Sequence, residues 1–299
     1  MHDRAALRAA RAAVPSTAAV RSTRARMWAL VLATAWTVAL AVLPSPASAQ
    51  RWGRGWSRRA PMANPGEAAE FGFTFCRIAY RSVRNEALGQ GWRTDYPNSD
   101  ANFSLRFSQL TTSAVSRSEN GEPFYAVVTL EDDEIFKCPF VFMSDVGTVG
   151  FDPEEIERLR TYLLKGGFLY VDDFWGDRAW QHWEQTMREV LPDHFIQDVP
   201  SDHLLLNGLY QVRDVPQVPS IQYWYRTGRQ ATSERGFESA EVHFRAIFDE
   251  EGRAMVVMTH NTDIADGWER EGEDEAFFFR FSPESYALGI NIVLYALTH

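Results

Sequence analysis

The sequence predicts an α/β fold in which a mostly parallel sheet carries helices on both faces, with an added β-hairpin and long loops. Four short segments are apolar almost throughout, which is typical of strands that are covered on both faces. A well-marked helix lies between the third and the fourth of these segments. This order favours a right-handed unit of strand, helix and parallel strand.

The N-terminus, residues 1–49, is predicted to be a signal peptide. Three arginines precede an apolar run at residues 28–43, and the small residues Ala47, Ser48 and Ala49 follow it. This is the pattern that a signal peptidase recognises, so we expect cleavage before Gln50 and a periplasmic or secreted protein. The alternative is an uncleaved anchor, but the run is shorter than the roughly 20 apolar residues that a spanning helix needs.

The charge of the exported chain excludes one class of partner. Cleavage removes six Arg and one Asp, which takes the formal net charge from −10 to −15. Such a surface repels phosphate backbones and anionic lipid, so nucleic acid is not expected to bind. Residues 50–70 begin with an arginine-rich stretch without periodicity and are predicted to be a disordered leader, which leaves residues 71–299 as the α/β domain.

The strands and helices follow in order. The predicted strands lie within residues 71–80, 123–130, 139–144 and 168–171. Asp152 caps the helix before the fourth strand, Pro153 takes its first position and Glu155 completes a capping box. A second helix over residues 177–191 presents Trp and Met residues on one face, which we interpret as core.

The C-terminal half is predicted to be less regular. Residues 198–236 form a long irregular segment, residues 242–260 a β-hairpin and residues 260–279 a polar loop. Ser282 and Pro283 predict the start of a final apolar helix.

The two cysteines, Cys76 and Cys138, each lie in or beside a strand-like segment. Two buried thiols are the favoured interpretation, because cysteine behaves there as a small hydrophobic residue. A disulfide is the alternative, since an oxidising envelope permits one. A closed zinc site of the usual kind is excluded, because no His neighbours the pair.

Two adjacent carboxylates, Asp172 and Asp173, directly follow the strand at residues 168–171. Ligands of open parallel sheets bind beyond the carboxyl ends of the strands, and a sharp turn there exposes a reactive group in several α/β enzymes. The pair therefore suits acid/base chemistry or cation binding. The alternative, which the spacing leaves open, is that one aspartate caps the next helix.

Two further segments supply candidate site residues. His260, Asn261 and Asp263 follow the second strand of the hairpin and are able to ligate a metal or move protons, or else to stabilise a turn. Trp92, Asp95 and Tyr96 precede a helix that Asp100 is expected to cap. An aromatic ring beside a carboxylate suits a sugar or another polar ligand, whereas inward-packed aromatic residues are the alternative.

Five segments in order carry a family resemblance: GWRTDYPNSDANF, KGGFLYVDDFWGD, PSDHLLL, HNTDIADGW and GINIVLYALT. Together they resemble the bacterial family catalogued as domain of unknown function 4159, from Phe71 to His299. The order of helix, KGGFLYV and sharp turn is similar to the class I glutamine amidotransferase-like fold. The resemblance implies that fold, but not glutaminase activity, because Asp172 and Asp173 stand where those enzymes carry their cysteine.

A histidine and a serine elsewhere in the sequence are not predicted to be site residues. His203 of PSDHLLL resembles a position that is widespread in amidotransferase-like folds, and a structural hydrogen bond is expected there. Ser233 of SERG lacks the G-x-S-x-G context of a serine hydrolase.

The favoured function is a non-catalytic envelope module that binds a small polar ligand or an envelope protein, without a membrane span after cleavage. No cofactor is predicted, although the carboxylates are compatible with a divalent metal. The alternative is a carboxylate- or metal-dependent hydrolase of a glycan or peptide, with Asp172 or Asp173 acting beside His260 and Asp263. The predicted ligand-binding residues are Trp92, Asp95, Tyr96, Asp172, Asp173, His260, Asn261 and Asp263.

Overall fold

The computed structural model of the protein describes residues 64–68 and 70–299. The predicted signal peptide, residues 1–49, lies outside the described residues. Of the predicted leader, residues 50–70, only the last part is among the described residues, and there Pro65–Glu67 forms a short 3-10 helix with Pro65 buried.

The described residues form an α/β fold around a seven-stranded sheet, which confirms the predicted class. The strands are β1 Phe75–Ile78, β2 Arg81–Ser82, β3 Tyr125–Val128, β4 Phe140–Ser144, β5 Val149–Gly150, β6 Phe168–Asp172, β7 Ile196–Asp198, β8 His243–Phe248 and β9 Ala254–His260. The helices are α1 Asn98–Leu110, α2 Pro153–Leu164, α3 Gly176–Val190, α4 Ile221–Arg226, α5 Ile264–Glu269 and α6 Glu275–Thr298.

The sheet runs in the order β3-β1-β4-β6-β9-β8-β7. Strands β3, β1, β4, β6 and β9 are parallel, and β8 pairs antiparallel with both β9 and β7. The predicted hairpin is therefore β8 and β9. Strands β2 and β5 form a separate antiparallel pair of two residues each.

Alternate side chains of the central strands pack into two hydrophobic cores, one on each face of the sheet. On one face Phe140 and Phe142 of β4 pack with residues of α1, α5 and α6. On the other face Val141 and Met143 pack with residues of α2 and α3. Burial on both faces explains why these strands are continuously apolar.

The predicted capping box at α2 is present. The Asp152 side chain accepts hydrogen bonds from the backbone N–H groups of Glu154 and Glu155, and the Glu155 side chain accepts one from the Asp152 N–H. These bonds satisfy N–H groups that have no partner within the first turn of the helix.

The final helix begins earlier than the sequence predicts. Helix α6 starts at Glu275, where the Asp274 side chain accepts from the Phe277 N–H, so Ser282 and Pro283 lie inside the helix. The predicted polar loop at 260–279 accordingly contains α5 and the first turn of α6. An internal proline costs about 3 kcal/mol, and the burial of the aromatic residues on both sides of Pro283 offsets this cost.

Cys76 and Cys138 are joined by a disulfide, so the expectation of two free thiols is wrong. Cys76 lies in β1 and Cys138 lies two residues before the start of β4, and these strands are neighbours in the sheet. The pairing of two strands that are distant in the sequence brings the sulfur atoms together. The spacing of the cysteines in the sequence does not reveal this pairing. Within the described residues, no helix has the length and apolar character needed to cross a membrane.

Candidate functional site

The candidate site is a pocket of about 110 Å³ at the carboxyl ends of β4, β6 and β9. Within the described part of the chain, eight carboxylates and three arginines line it. These residues are Glu86, Asp95, Asp145, Asp173, Glu234, Asp263, Asp266, Glu269, Arg93, Arg235 and Arg270. The pocket occupies the crevice in which open α/β sheets bind their ligands.

Asp173 lines this pocket from the turn after β6. Its φ of 53° is left-handed, a conformation that aspartate tolerates better than most residues. One of its carboxylate oxygens accepts a hydrogen bond from Trp175 Nε1 at 2.9 Å, and the residue is only 8% exposed. The turn therefore presents a carboxylate to the pocket at the carboxyl end of β6.

The turn that carries Asp173 is fastened to the end of β9. Asn261 Oδ1 accepts from the Gly176 N–H at 2.8 Å, and the Asn261 N–H donates to the Phe174 carbonyl at 3.0 Å. His260 Nε2 lies 3.2 Å from the Gly176 carbonyl, so this nitrogen carries the proton. His260 and Asn261 do not line the pocket, and they act on it by holding the turn in place.

Asp172 has a different environment from its neighbour. It is fully buried away from the pocket and accepts hydrogen bonds from the Thr259 hydroxyl and from the Ala265 N–H at 2.8 Å. Asp172 thereby ties β6 to β9 and to α5. Neither aspartate caps α3, because the N-cap residue is Trp175 and has no side-chain cap, so the capping alternative is wrong.

Asp95 reaches the pocket from the loop before α1. A fully buried arginine, Arg77, donates to the Asp100 carboxylate and to the carbonyls of Trp92 at 3.1 Å and Thr94 at 2.9 Å. These bonds fix the loop on β1. Asp100 is therefore the partner of Arg77 within the first turn of α1, which begins at Asn98, and is not the expected cap.

Asp263 enters the pocket as the N-cap of α5. One of its oxygens accepts from the Asp266 N–H at 2.8 Å, and the residue is 2% exposed. Asp266 accepts from the Ile221 N–H at 2.7 Å. Arg270 binds two pocket carboxylates, with Nε 3.3 Å from Asp266 and Nη2 2.8 Å from Glu269.

The carboxylates converge in two groups that share Asp95. One oxygen each from Asp95, Asp173 and Asp263 lie within 4.8 Å of one another, and so do oxygens from Asp95, Asp266 and Glu269. Among the described residues these are the groups of three or more side chains whose spacing suits a metal ion. Carboxylate oxygen is the ligand that Mg²⁺ and Ca²⁺ prefer.

Burial raises the pKa of each of these carboxyl groups, and the neighbouring negative charges add to the effect. The pKa of Asp95 rises to about 6 and that of Glu269 to about 9. The pKa values of Asp173 and Asp263 rise well above their usual range. Without a cation, the group of Asp95, Asp173 and Asp263 therefore keeps its protons to a higher pH than exposed carboxyl groups do.

The other predicted residues lie beside the pocket or away from it. Tyr96 lines the pocket, whereas Trp92 does not and packs against Tyr96 with ring centroids 5.5 Å apart. His260 is buried against Phe174, and burial lowers its pKa to about 3, so it is neutral. His203 Nδ1 accepts from the Leu205 N–H at 3.2 Å, which confirms the expected structural hydrogen bond.

Sequence reasoning missed eight of the eleven charged residues of the pocket, and four of the eight had a sequence signal: Asp145, Asp266, Glu269 and Arg270. Asp145 directly follows β4, just as Asp173 follows β6, so the strand-end rule applied to both would have found it. The others follow Asp263 at three- and four-residue spacing, the mark of one helix face. They were overlooked because their segment was predicted to be a loop.

Comparison with known proteins gives one family. The family model described as "Domain of unknown function (DUF4159)" matches residues 74–297, which include the whole seven-stranded sheet and the residues that line the pocket. No curated protein matches the chain.

Proposed function

The chain belongs to the DUF4159 family, and on this premise we propose that it binds a small polar ligand through a divalent cation held in the acidic pocket. One observation carries the proposal. Asp95, Asp173 and Asp263 come from three separate segments, are buried, and bring their carboxylate oxygens within 4.8 Å of one another. A fold that packs three like charges so closely gains stability when a cation neutralises them.

The hydrogen bonding of these residues supports a cation. Asp173 and Asp263 each accept one hydrogen bond on a single oxygen, from Trp175 Nε1 and from the Asp266 N–H respectively. In the described part of the chain, the second oxygen of each accepts no hydrogen bond. Because both residues line the pocket, these oxygens are available to a metal, which would replace the protons that their raised pKa values hold.

The shape and charge of the pocket restrict the ligand. The site is a narrow cavity with converging side chains, which suits a small molecule better than a broad docking surface for a protein. Tyr96, Phe174 and Trp175 add aromatic surface to its lining. Carboxylates outnumber arginines eight to three, so an anionic ligand is disfavoured and a hydroxyl-bearing molecule such as a sugar fits best.

The proposed architecture is amidotransferase-like without amidotransferase chemistry. The left-handed Asp173 after β6 supports the comparison with a nucleophile turn. A carboxylate at this position is a cation ligand, and it lacks the thiolate that glutaminase chemistry requires.

A metal-assisted hydrolase of a glycan or peptide is the second candidate. It is favoured by Asp173, a carboxyl with a raised pKa beside the cation ligands Asp95 and Asp263. A cation there would polarise a substrate oxygen or its bound water, and the carboxyl would exchange a proton with it. His260 takes no part in this version, because it is buried outside the pocket.

We also propose that the protein acts after export, in the periplasm or outside the cell. The disulfide between Cys76 and Cys138 supports this location, because disulfides persist mainly in oxidising compartments. The mass of the protein recovered from a secreting host tests it. A product that begins at Gln50 is expected, and one that keeps residues 1–49 would contradict the proposal.

The metal proposal is tested by thermal melting and elemental analysis of the purified protein with Mg²⁺, Ca²⁺, Mn²⁺ or Zn²⁺ and with a chelator. A cation at 100 times its Kd adds about 2.7 kcal/mol to the free energy of unfolding. For a domain of this size that corresponds to a rise in Tm of about 5–10 °C.

The adjacent aspartates provide a matched pair of variants. Asp173→Asn is expected to abolish the cation-induced rise in Tm. Asp172→Asn is expected to lower Tm, because it disturbs the bonds from Thr259 and Ala265, yet to keep the rise. The proposal fails if none of the four ions shifts Tm, or if Asp173→Asn responds as the wild type does. Loss of turnover in Asp173→Asn on a glycan or peptide would favour the hydrolase.

A further inference from the structure

The two carboxylate groups that share Asp95 have the outline of a two-cation site. Asp95 belongs to both groups, with Asp173 and Asp263 on one side and Asp266 and Glu269 on the other. Enzymes that use two divalent cations commonly hold them about 3.5–4 Å apart. The arrangement of carboxylates alone is compatible with one bound cation or with two.

The two groups differ in their contact with arginine. The Arg270 guanidinium lies 3.3 Å from Asp266 Oδ1 and 2.8 Å from Glu269 Oε2. It is a permanent cation, since arginine does not lose its proton in proteins. In the described residues, neither Asp173 nor Asp263 forms an ion pair with an arginine or a lysine.

We propose that Arg270 takes the place of a second metal ion, so that the pocket binds one divalent cation, at Asp95, Asp173 and Asp263. This rests on the proposed function, because it assigns the number and position of the cations in the same site. The guanidinium already supplies positive charge to Asp266 and Glu269. A metal ion would have to displace it from both.

The surroundings of Arg270 favour its staying in place. Its side chain is 21% exposed, and its Nη1 also binds Glu273 at 2.7 Å. Three carboxylates therefore pair with one guanidinium, and those of Asp266 and Glu273 accept charge-assisted hydrogen bonds from it. Glu273 lies outside both carboxylate groups, so a metal ion would not compete for the ion pair between Arg270 and Glu273.

The test counts bound Mn²⁺ by equilibrium dialysis with elemental analysis, together with electron paramagnetic resonance of the loaded protein. Wild-type protein is expected to bind one Mn²⁺ with the spectrum of an isolated ion. Arg270→Met is expected to bind two, with the exchange coupling that a shared carboxylate produces. Arg270→Lys keeps the charge and is expected to bind one.

Arg235→Met is the matched control. Arg235 also lines the pocket and pairs with two carboxylates, at 3.4 Å to Glu86 and 3.3 Å to Glu234. These carboxylates belong to neither of the two groups, so the variant is expected to bind one Mn²⁺. A second Mn²⁺ in Arg235→Met would show that removing any pocket arginine creates a site, and would overturn the specific role of Arg270.

Two further measurements keep the inference testable if Arg270→Met does not fold. Glu269→Gln is expected to change the Kd for Mn²⁺ by less than about twofold, whereas Asp263→Asn raises it at least about tenfold, a loss of about 1.4 kcal/mol. Wild-type protein that binds two Mn²⁺ with similar affinity overturns the inference, as does a folded Arg270→Met that binds one. Wild-type protein that binds none overturns the proposed function itself.

Discussion

Replacing Arg77 by methionine tests how the pocket is built, because Arg77 holds the loop that carries Asp95. Arg77 and Asp100 are both fully buried, and the guanidinium also donates to Ser99 Oγ and to the carbonyls of Trp92 and Thr94. Arg77→Met leaves the Asp100 carboxylate buried without its cation. Breaking one half of a buried pair costs about 3–5 kcal/mol of unfolding free energy.

The double variant Arg77→Met with Asp100→Asn separates charge from packing. Like Arg77→Met it leaves the two carbonyls of the loop without donors, at about 1–3 kcal/mol each, but it leaves no unpaired buried charge. The double variant is therefore expected to be more stable than Arg77→Met alone. Both are expected to lower the affinity of the pocket for its cation, because Asp95 is no longer held.

Urea unfolding followed by tryptophan fluorescence measures these changes as shifts of the midpoint at constant m-value. Arg188→Met is the control, since Arg188 forms an exposed pair with Glu184 at 3.1 Å whose loss costs less than about 1 kcal/mol. The reasoning is refuted if Arg77→Met costs no more than Arg188→Met, or if the double variant is as unstable as the single one.

Three further predictions concern pH, the turn and the disulfide. The pKa values of Asp95, Asp173 and Asp263 are raised in the folded protein, so the folded protein binds more protons than the unfolded chain and its metal-free stability should fall as pH rises from about 4 through 7. A saturating cation should reduce this fall. Urea midpoints that stay constant or rise across this pH range would contradict the prediction. Asn261→Ala removes the acceptor of the Gly176 N–H and the donor to a backbone carbonyl, so it should lower the free energy of unfolding by about 1–3 kcal/mol and weaken cation binding. Unchanged cation binding in titration calorimetry would show that the turn holds Asp173 without Asn261. Reduction of the disulfide, which spans 62 positions, should cost about 2–4 kcal/mol through the entropy of the unfolded chain; equal urea midpoints with and without reductant would argue against this.

The central strands and α2 could be predicted because their determinants are local. Continuous hydrophobicity marks a strand that is buried on both faces, and Asp152, Pro153 and Glu155 mark a helix start within four residues. The start of α6 could not be predicted in this way. Ser282 and Pro283 have the local chemistry of a helix start, but the burial of Phe277 and Phe281 extends the helix back to Asp274, and only packing decides that.

The candidate site was predicted in part for the same reason. The rule that ligands gather at the carboxyl ends of parallel strands singled out the aspartates that follow β6 and β9. It did not separate Asp172, whose oxygens bind Thr259 and Ala265, from Asp173, whose side chain lines the pocket. The left-handed turn at Asp173 makes that distinction.

The sequence by itself determined the α/β class, the strand ends at which acidic residues collect, and the sign of their charge, since these depend on neighbouring residues and on composition. The tertiary structure alone decided which carboxylates meet. Asp95, Asp173 and Asp263 are far apart in the sequence. One carboxylate oxygen of each lies within 4.8 Å of the others only because the parallel strands end at one edge of the sheet and Arg77 holds the loop of Asp95 over that edge. The pairs of Arg270 with Asp266 and Glu269 are local to α5, but only the packing of α5 against the sheet brings these residues to the pocket.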